Sequence, residues 1–147
     1  MLFENGIPTR CFSCAWDPED FKDKDVWVGL PASQTFFEVL ALTVAVDLWC
    51  SQGLPTAILG DNTAALQEAL TLKGKGAIGE LAQILAVLRF SRSLDLTVGH
   101  LPTEANDAAD ALSRQFDDPR SPWPFSPSQG VARDTPRQPS ALWEWIR

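Results

Sequence analysis

Hydrophobic and polar positions repeat with two different periods along the chain, which predicts helices and strands in alternation. Residues 35–51 are apolar on nearly every side, so they predict a central, buried helix. Thr35 and Glu38 have the spacing of a capping box at its start, and Gly53 follows as a stop signal. Further helices are expected over 62–72, over 78–90 and from Thr103 to about Arg114.

Short apolar runs bounded by turn residues predict the strands. Asn5 and Gly6 are typical of a turn between a short strand at 1–3 and a strand at 10–16. Further strands are expected at 55–59 and 94–98, with one more short strand at 26–28. The order of elements, with helices between strands, indicates an α/β fold with a mixed sheet flanked by helices.

The composition changes after Phe116. Residues 117–139 contain six prolines and lack periodicity, which predicts a linker or disordered tail. We therefore expect a domain over 1–116 and a Pro-rich tail over 117–147. The last residues, 141–147, are apolar enough to dock on another surface.

Bulk composition limits the class of protein. A chain of 147 residues is long enough for one core, and its net charge of −7 argues against a large basic surface for nucleic acid. A short basic strip of Lys73, Lys75, Arg89 and Arg92 is compatible with that charge, as is a solvated turn. The sequence shows no targeting signal, and its longest apolar run is too short for a bilayer, so we expect an intracellular protein, cytoplasmic or nuclear, without membrane contact.

The three cysteines do not predict a metal site. Cys11 and Cys14 match a C-x-x-C spacing, but on a strand they point to opposite faces. A zinc site also needs further ligands, and neither a second cysteine pair nor a nearby histidine supplies them. An odd number of cysteines fits a reducing compartment.

Three carboxylates interrupt apolar segments and are candidate metal ligands. Glu38 lies in the central helix, Asp61 follows the strand at 55–59, and Asp110 lies in the last helix. Carboxylates gathered in an apolar site repel one another unless a cation neutralises them, and Mg²⁺ prefers such oxygen ligands. Each acid also has an ordinary structural explanation. Glu38 could complete a capping box, Asp61 could cap the next helix, and Asp110 could lie on an exposed helix face.

Asp110 also belongs to a set of candidate residues at the last strand-to-helix junction. His100, Asn106 and Asp110 follow one another there, and a four-residue spacing places Asn106 and Asp110 on one face of a helix. His100 could equally be a surface imidazole after a strand.

The segments around these residues resemble the ribonuclease H domain of retroelement reverse transcriptases. The resemblance rests on Phe37–Leu42, Gly60–Thr63, His100–Pro102 and Asn106–Arg114, and it extends over roughly residues 1–114. It implies a five-stranded sheet flanked by helices and cleavage of the RNA strand of RNA–DNA hybrids by a two-metal mechanism. The other parts of a reverse transcriptase polyprotein would be possible partners.

The resemblance also implies roles for individual residues. Glu38, Asp61 and Asp110 would be catalytic ligands of Mg²⁺, with Mn²⁺ as a substitute, and His100 would assist catalysis. Asn62 and Asn106 would contact the nucleic acid. Members of the family begin with a strand that carries one more aspartate, and nothing before Glu38 matches it. The expected fold is therefore truncated at its N-terminus, and hybrid cleavage is expected to be impaired.

Two other interpretations stay open. The chain could be a non-catalytic ribonuclease H-fold remnant that binds nucleic acid or protein. It could also be a small α/β domain of unrelated function whose acids are helix caps.

Overall fold

A computed structural model describes residues 1–116, 123–137 and 140–146. They form a mixed α/β fold, as the sequence predicts. The strands are β1 (Leu2–Glu4), β2 (Ile7–Cys11), β3 (Pro55–Gly60), β4 (Asp95–His100) and β5 (Ala132–Arg133). The α-helices are α1 (Gln34–Trp49), α2 (Thr63–Thr71), α3 (Gly76–Ser91), α4 (Asp107–Ser113) and α5 (Ala141–Ile146). Short 3₁₀ turns cover Pro18–Phe21, Pro31–Ser33, Thr103–Ala105 and Pro127–Gln129.

The described strands form two sheets. The first has the order β1-β2-β5, with β1 antiparallel and β5 parallel to β2. Asn5 and Gly6 have φ values of 54° and 79°, the left-handed backbone that a tight hairpin turn requires. The second sheet is a parallel pair in which β3 and β4 run in register from Pro55 beside Asp95 to Gly60 beside His100. The resemblance implied one five-stranded sheet, and the described strands do not form it.

Helix α1 is the centre of the core. Most of its buried positions pack toward α2, α3 and α5, and these are Phe36, Val39, Leu40, Thr43 and Val44. Val46, which is also buried, belongs to a second cluster. The buried Thr43 hydroxyl donates to the carbonyl of Val39 at 2.8 Å, which satisfies its polar group inside the helix. The strong apolar character of this segment therefore does predict the central helix correctly.

The N-terminus of α1 differs from the prediction. The helix begins at Gln34 after the 3₁₀ turn, with Ser33 at the N-cap, and no side chain caps it. Thr35 and Glu38 do not form the expected capping box, because both lie inside the helix. The strand expected at 26–28 is also wrong, since these residues form no strand. Val26 packs against the core cluster around α1, and Trp27 and Val28 are exposed.

Helices α2 and α3 cover the second sheet. Val46, Ala69, Leu85, Leu94 and Leu96 form a second cluster of buried side chains. The Arg92 side chain, which follows α3, links the end of α1 to this cluster. Arg92 donates to the carbonyls of Val46 and Asp47 at 3.1 and 2.9 Å and forms an ion pair with the Asp47 carboxylate at 2.8 Å.

The C-terminal segment packs on the rest of the chain, in contrast to the disordered tail that its composition predicts. Strand β5 pairs with β2, and Leu142, Trp143 and Ile146 of α5 are buried in the cluster around α1. Trp123 and Phe125 pack near Leu112 of α4. Residues 117–122, 138, 139 and 147 of the predicted tail lie outside the described residues.

Across the described residues, no helix has both the length and the apolar character to cross a membrane.

Candidate functional site

A cavity of about 640 Å³ lies between the two sheets. Met1 and Leu2 border it on the side of the first sheet, and residues 56–60 of β3 border it on the side of the second. Helices α1 and α4, the start of α2 and residues of the segment after β2 also line it. We refer to this space as the inter-sheet cavity. Five of the six residues predicted to form the functional site border it, and they are Glu38, Asp61, Asn62, Asn106 and Asp110.

Glu38 lies in the second turn of α1 and is half-buried. Its Oε1 atom accepts a hydrogen bond from Nε2 of Gln34, one turn earlier, at 3.1 Å. The capping-box explanation is removed, because Glu38 is too far inside the helix to reach the N-cap backbone. The carboxylate instead faces the inter-sheet cavity beside Gln34.

Asp61 directly follows β3, at the carboxyl end of the strand, and is half-buried. The cap of α2 is made by Asn62 rather than Asp61. Asn62 Oδ1 accepts from the backbone amides of Ala64 and Ala65 at 3.0 and 3.1 Å. Its Nδ2 atom also donates to the hydroxyl of Thr35 at 3.5 Å. Asn62 therefore ties α2 to the start of α1, and its contact with nucleic acid stays a prediction.

Asn106 and Asp110 stand at the start of α4. Asn106 occupies the N-cap position, and its carbonyl accepts from the backbone amides of Ala109 and Asp110. The Asp110 carboxylate is exposed and pairs with Nε of Arg114 at 3.0 Å. An exposed ion pair of this kind contributes little to stability. The pair nevertheless gives Asp110 a cationic neighbour one helical turn away.

His100 is exposed at the end of β4, beside Gly60 in the strand register. It stands near the same end of the sheet as Asp61. His100 itself, however, does not border the inter-sheet cavity that the described residues form.

The chemistry of these residues suits a hard cation, because three carboxylates and two amides supply only oxygen ligands. Their positions do not. Within the described residues, no group of three or more histidine, cysteine, aspartate or glutamate side chains is arranged to hold a metal ion. The three acids share one cavity without converging on one point, so the side chains as placed do not fit Mg²⁺.

Sequence reasoning missed a polar network at the edge of the first sheet. Asp134 accepts from Arg10 and from the indole nitrogen of Trp49, both at 2.7 Å. Burial opposes the charge of Asp134, but these two hydrogen bonds outweigh it and lower the pKa of the carboxyl. Asp134 thus joins the C-terminal segment to β2 and α1. Its partners are far apart in sequence, so no local pattern could have shown it.

Cys14 and Cys50 also border the inter-sheet cavity. Burial raises the pKa of the Cys14 thiol to about 11 and raises that of Cys50 as well. Both side chains therefore stay neutral at physiological pH, and with Cys11 they are free thiols.

The proteins already known give no further assignment. No family model, curated protein or solved structure matches the chain.

Proposed function

We propose that the chain is a ribonuclease H-type domain of a retroelement that acts on the RNA strand of RNA–DNA hybrids. One observation supports the proposal above the others. Glu38, Asp61 and Asp110 come from three separate elements, yet all of them border the inter-sheet cavity. Unrelated acids with structural roles would not be expected to meet at one cavity.

The surroundings of the acids support the same proposal. Asp61 lies at the carboxyl end of a parallel strand, where α/β proteins commonly bind ligands. Asn62 and Asn106 lie beside the acids and offer amide groups that can donate to a nucleic-acid backbone. Recognition would then depend on the shape of the hybrid and on 2′-hydroxyl groups, because the net charge of −7 disfavours broad phosphate binding.

A second candidate has its own supporting observation. The described side chains include no metal-binding group, and Asp110 is paired with Arg114. A non-catalytic remnant of this fold, which binds a hybrid without cleaving it, accounts for that arrangement. The two candidates differ in whether the carboxylates take part in chemistry.

A hybrid-cleavage assay separates them. The purified chain is incubated with a labelled RNA–DNA hybrid in Mg²⁺ or Mn²⁺, and its affinity for the hybrid is measured by fluorescence anisotropy. The nuclease proposal expects cleavage that Asp61→Asn abolishes, with binding retained. Cleavage at equal rates in the variant would indicate a contaminating nuclease and contradict the proposal.

The control variant is Asp95→Asn, an exposed acid at the other end of the second sheet. It removes the same charge far from the cavity and should cleave as the unmodified chain does. Binding without cleavage favours the remnant. If the chain neither binds nor cleaves the hybrid, both candidates are overturned.

A further inference from the structure

The inter-sheet cavity follows the edge of a strand and not the face of a sheet. On one face of a sheet, only alternate residues present their side chains. Here five consecutive residues of β3, from Thr56 to Gly60, border the cavity. An uninterrupted run of this kind means that the cavity is open to the backbone of β3 along most of its length.

Both strands beside the cavity lack a partner on that side. Within the described residues, β1 pairs with β2 alone and β3 pairs with β4 alone. About half of the backbone amide and carbonyl groups of each strand point away from its existing partner. Such groups form strong hydrogen bonds and are rarely left unpaired inside a protein. The cavity is therefore bordered by the free edge of β3 along five residues and by β1 at Leu2, the first residue of that strand.

The rest of the lining is partly apolar and partly polar. Its apolar part includes Ala41, Leu42 and Ala45 of α1 and Ala109 and Leu112 of α4, and its polar part includes the candidate residues together with Gln34 and Ser113. The two alanines of α1 are only half-buried although they lie in the central helix, because the cavity leaves them uncovered. An occupant would thus meet apolar side chains from two helices and polar backbone from two strands.

We propose that the inter-sheet cavity binds an extended, apolar and cationic peptide segment of another polypeptide, which pairs with β1 and β3 and joins the two sheets into one. Only an extended backbone can hydrogen-bond to both edges at once. Strand β3 is about 20 Å long at the usual rise per residue, which sets a segment of five or six residues.

The walls also determine the side chains of that segment. A strand covered by helices on both faces is a continuous apolar run rich in valine and isoleucine. Glu38, Asp61 and Asp110 border the cavity, and the chain carries a net charge of −7. Charge complementarity therefore favours lysine or arginine at the ends of the segment and disfavours an acidic peptide. The pairing with the strand edges does not require the acids to bind a cation, whereas the preference for lysine or arginine requires carboxylates that no cation neutralises.

The test uses the full chain and a synthetic peptide of six alternating valines and isoleucines, flanked by two lysines at each end. We expect saturable one-to-one binding by calorimetry. Hydrogen exchange should show at least tenfold slower exchange of amides in residues 56–60 when the peptide is bound. A matched peptide with N-methyl groups on alternate residues keeps the side chains but loses the amide donors, and it should bind at least tenfold more weakly.

Two protein variants complete the experiment. Ala45→Trp fills the cavity and should abolish binding, and Ala41→Phe provides a second blocked form if the first does not fold. Ala64→Trp places the same bulk on the exposed side of α2 and should bind as the unmodified chain does.

Three results would overturn the proposal. The first is a folded chain whose β3 amides the peptide leaves unprotected. The second is equal affinity for the N-methylated peptide, since backbone pairing would then contribute nothing. The third is a dimer of the chain, seen by analytical ultracentrifugation and lost in Ala45→Trp, because the occupant would then be a second copy.

Discussion

Gly79 lies in the first turns of α3, where its Cα faces the backbone of Gly74. A Cβ atom added at Gly79 would stand 2.7 Å from the carbonyl oxygen of Gly74, closer than such atoms approach in proteins. The contact atom belongs to the backbone and cannot rotate away. Glycine is therefore required by the close approach of the turn before α3 to the helix.

We expect Gly79→Ala to lower the free energy of unfolding by about 1–3 kcal/mol, the usual cost of overpacking. The direction of this stability change is informative, because in a helix without such a contact alanine is about 1 kcal/mol more favourable than glycine. Urea denaturation measures the change, with Gln83→Ala on the exposed side of α3 as a near-neutral control. An unchanged or higher stability of Gly79→Ala would show that the turn can move away.

Cys14 provides a prediction about pH. Burial raises the pKa of its thiol to about 11, so at pH 8 the native protein holds far less thiolate than an unfolded chain does. We expect Cys14 to react with a thiol reagent at least about tenfold more slowly in the native state, after allowance for the greater nucleophilicity of a more basic thiolate. Its rate should still rise between pH 9 and pH 11, where a free thiol levels off. Mass-spectrometric mapping of the labelled peptide measures the rate at Cys14, and equal rates in native protein and in urea would contradict the prediction.

The candidate acids show what residue spacing can and cannot predict. Asp110 pairs with Arg114, and Glu38 accepts from Gln34, both at a separation of four residues on a helix. That spacing is visible in the sequence and predicts such pairs. Of the six candidate residues, five border the inter-sheet cavity and His100 does not. The sequence could not show that the acids stay apart there, because the distance between separate elements depends on tertiary packing.

At the scale of elements, Arg92 holds the C-terminus of α1. Its guanidinium donates to three carbonyls of the last turn, those of Val46, Asp47 and Cys50, and pairs with the Asp47 carboxylate. The last carbonyls of a helix have no partner within it, so a cation at this position satisfies them. The basic strip considered from the sequence therefore loses Arg92 to a structural role.

We expect Arg92→Ala to lower the free energy of unfolding by about 2 kcal/mol, since it removes several hydrogen bonds to a charged group. Arg89→Ala is the matched control. Arg89 donates to the end of α2 at 3.3 and 3.4 Å, so its contacts are longer and its loss should cost less. Thermal denaturation of the two variants compares them. A larger loss in Arg89→Ala would contradict the role given to Arg92.

The helices and the parallel strands could be predicted because their signals are local. Apolar periodicity and stop residues identify α1, α2, α3 and the strands near 55–59 and 94–98 within a few residues. The strand prediction at 26–28 was wrong because these three residues pair with no neighbouring strand among the described residues. Val26 packs on the core as part of an irregular segment instead. Strand propensity depends on such neighbours more than helix propensity does.

At the scale of the whole molecule, long-range packing determines where the C-terminal segment lies, and composition does not predict that position. Proline content predicts a separate tail after Phe116, yet β5 pairs with β2, and α5 inserts Leu142, Trp143 and Ile146 beside α1. Trp143 stacks on Trp16 with ring centroids 5.9 Å apart, and Trp16 also contacts Phe21. Both ends of the chain thus contribute to one aromatic cluster. The division between the two sheets is equally invisible in the sequence, since each strand by itself fits a single sheet.

This packing predicts that the C-terminal helix unfolds together with the domain. Leu142 is 1% exposed and contacts the cluster around α1, so Leu142→Ala should cost about 2–5 kcal/mol of stability, as for other buried leucines. Leu70→Ala is the control, because Leu70 is 44% exposed on α2 and its loss should cost less than about 1 kcal/mol. Unfolding followed by tryptophan fluorescence and by circular dichroism should give one coincident transition in the unmodified chain. A separate early transition in fluorescence, with the circular-dichroism midpoint unmoved by Leu142→Ala, would mean that α5 docks on a domain that is already stable without it.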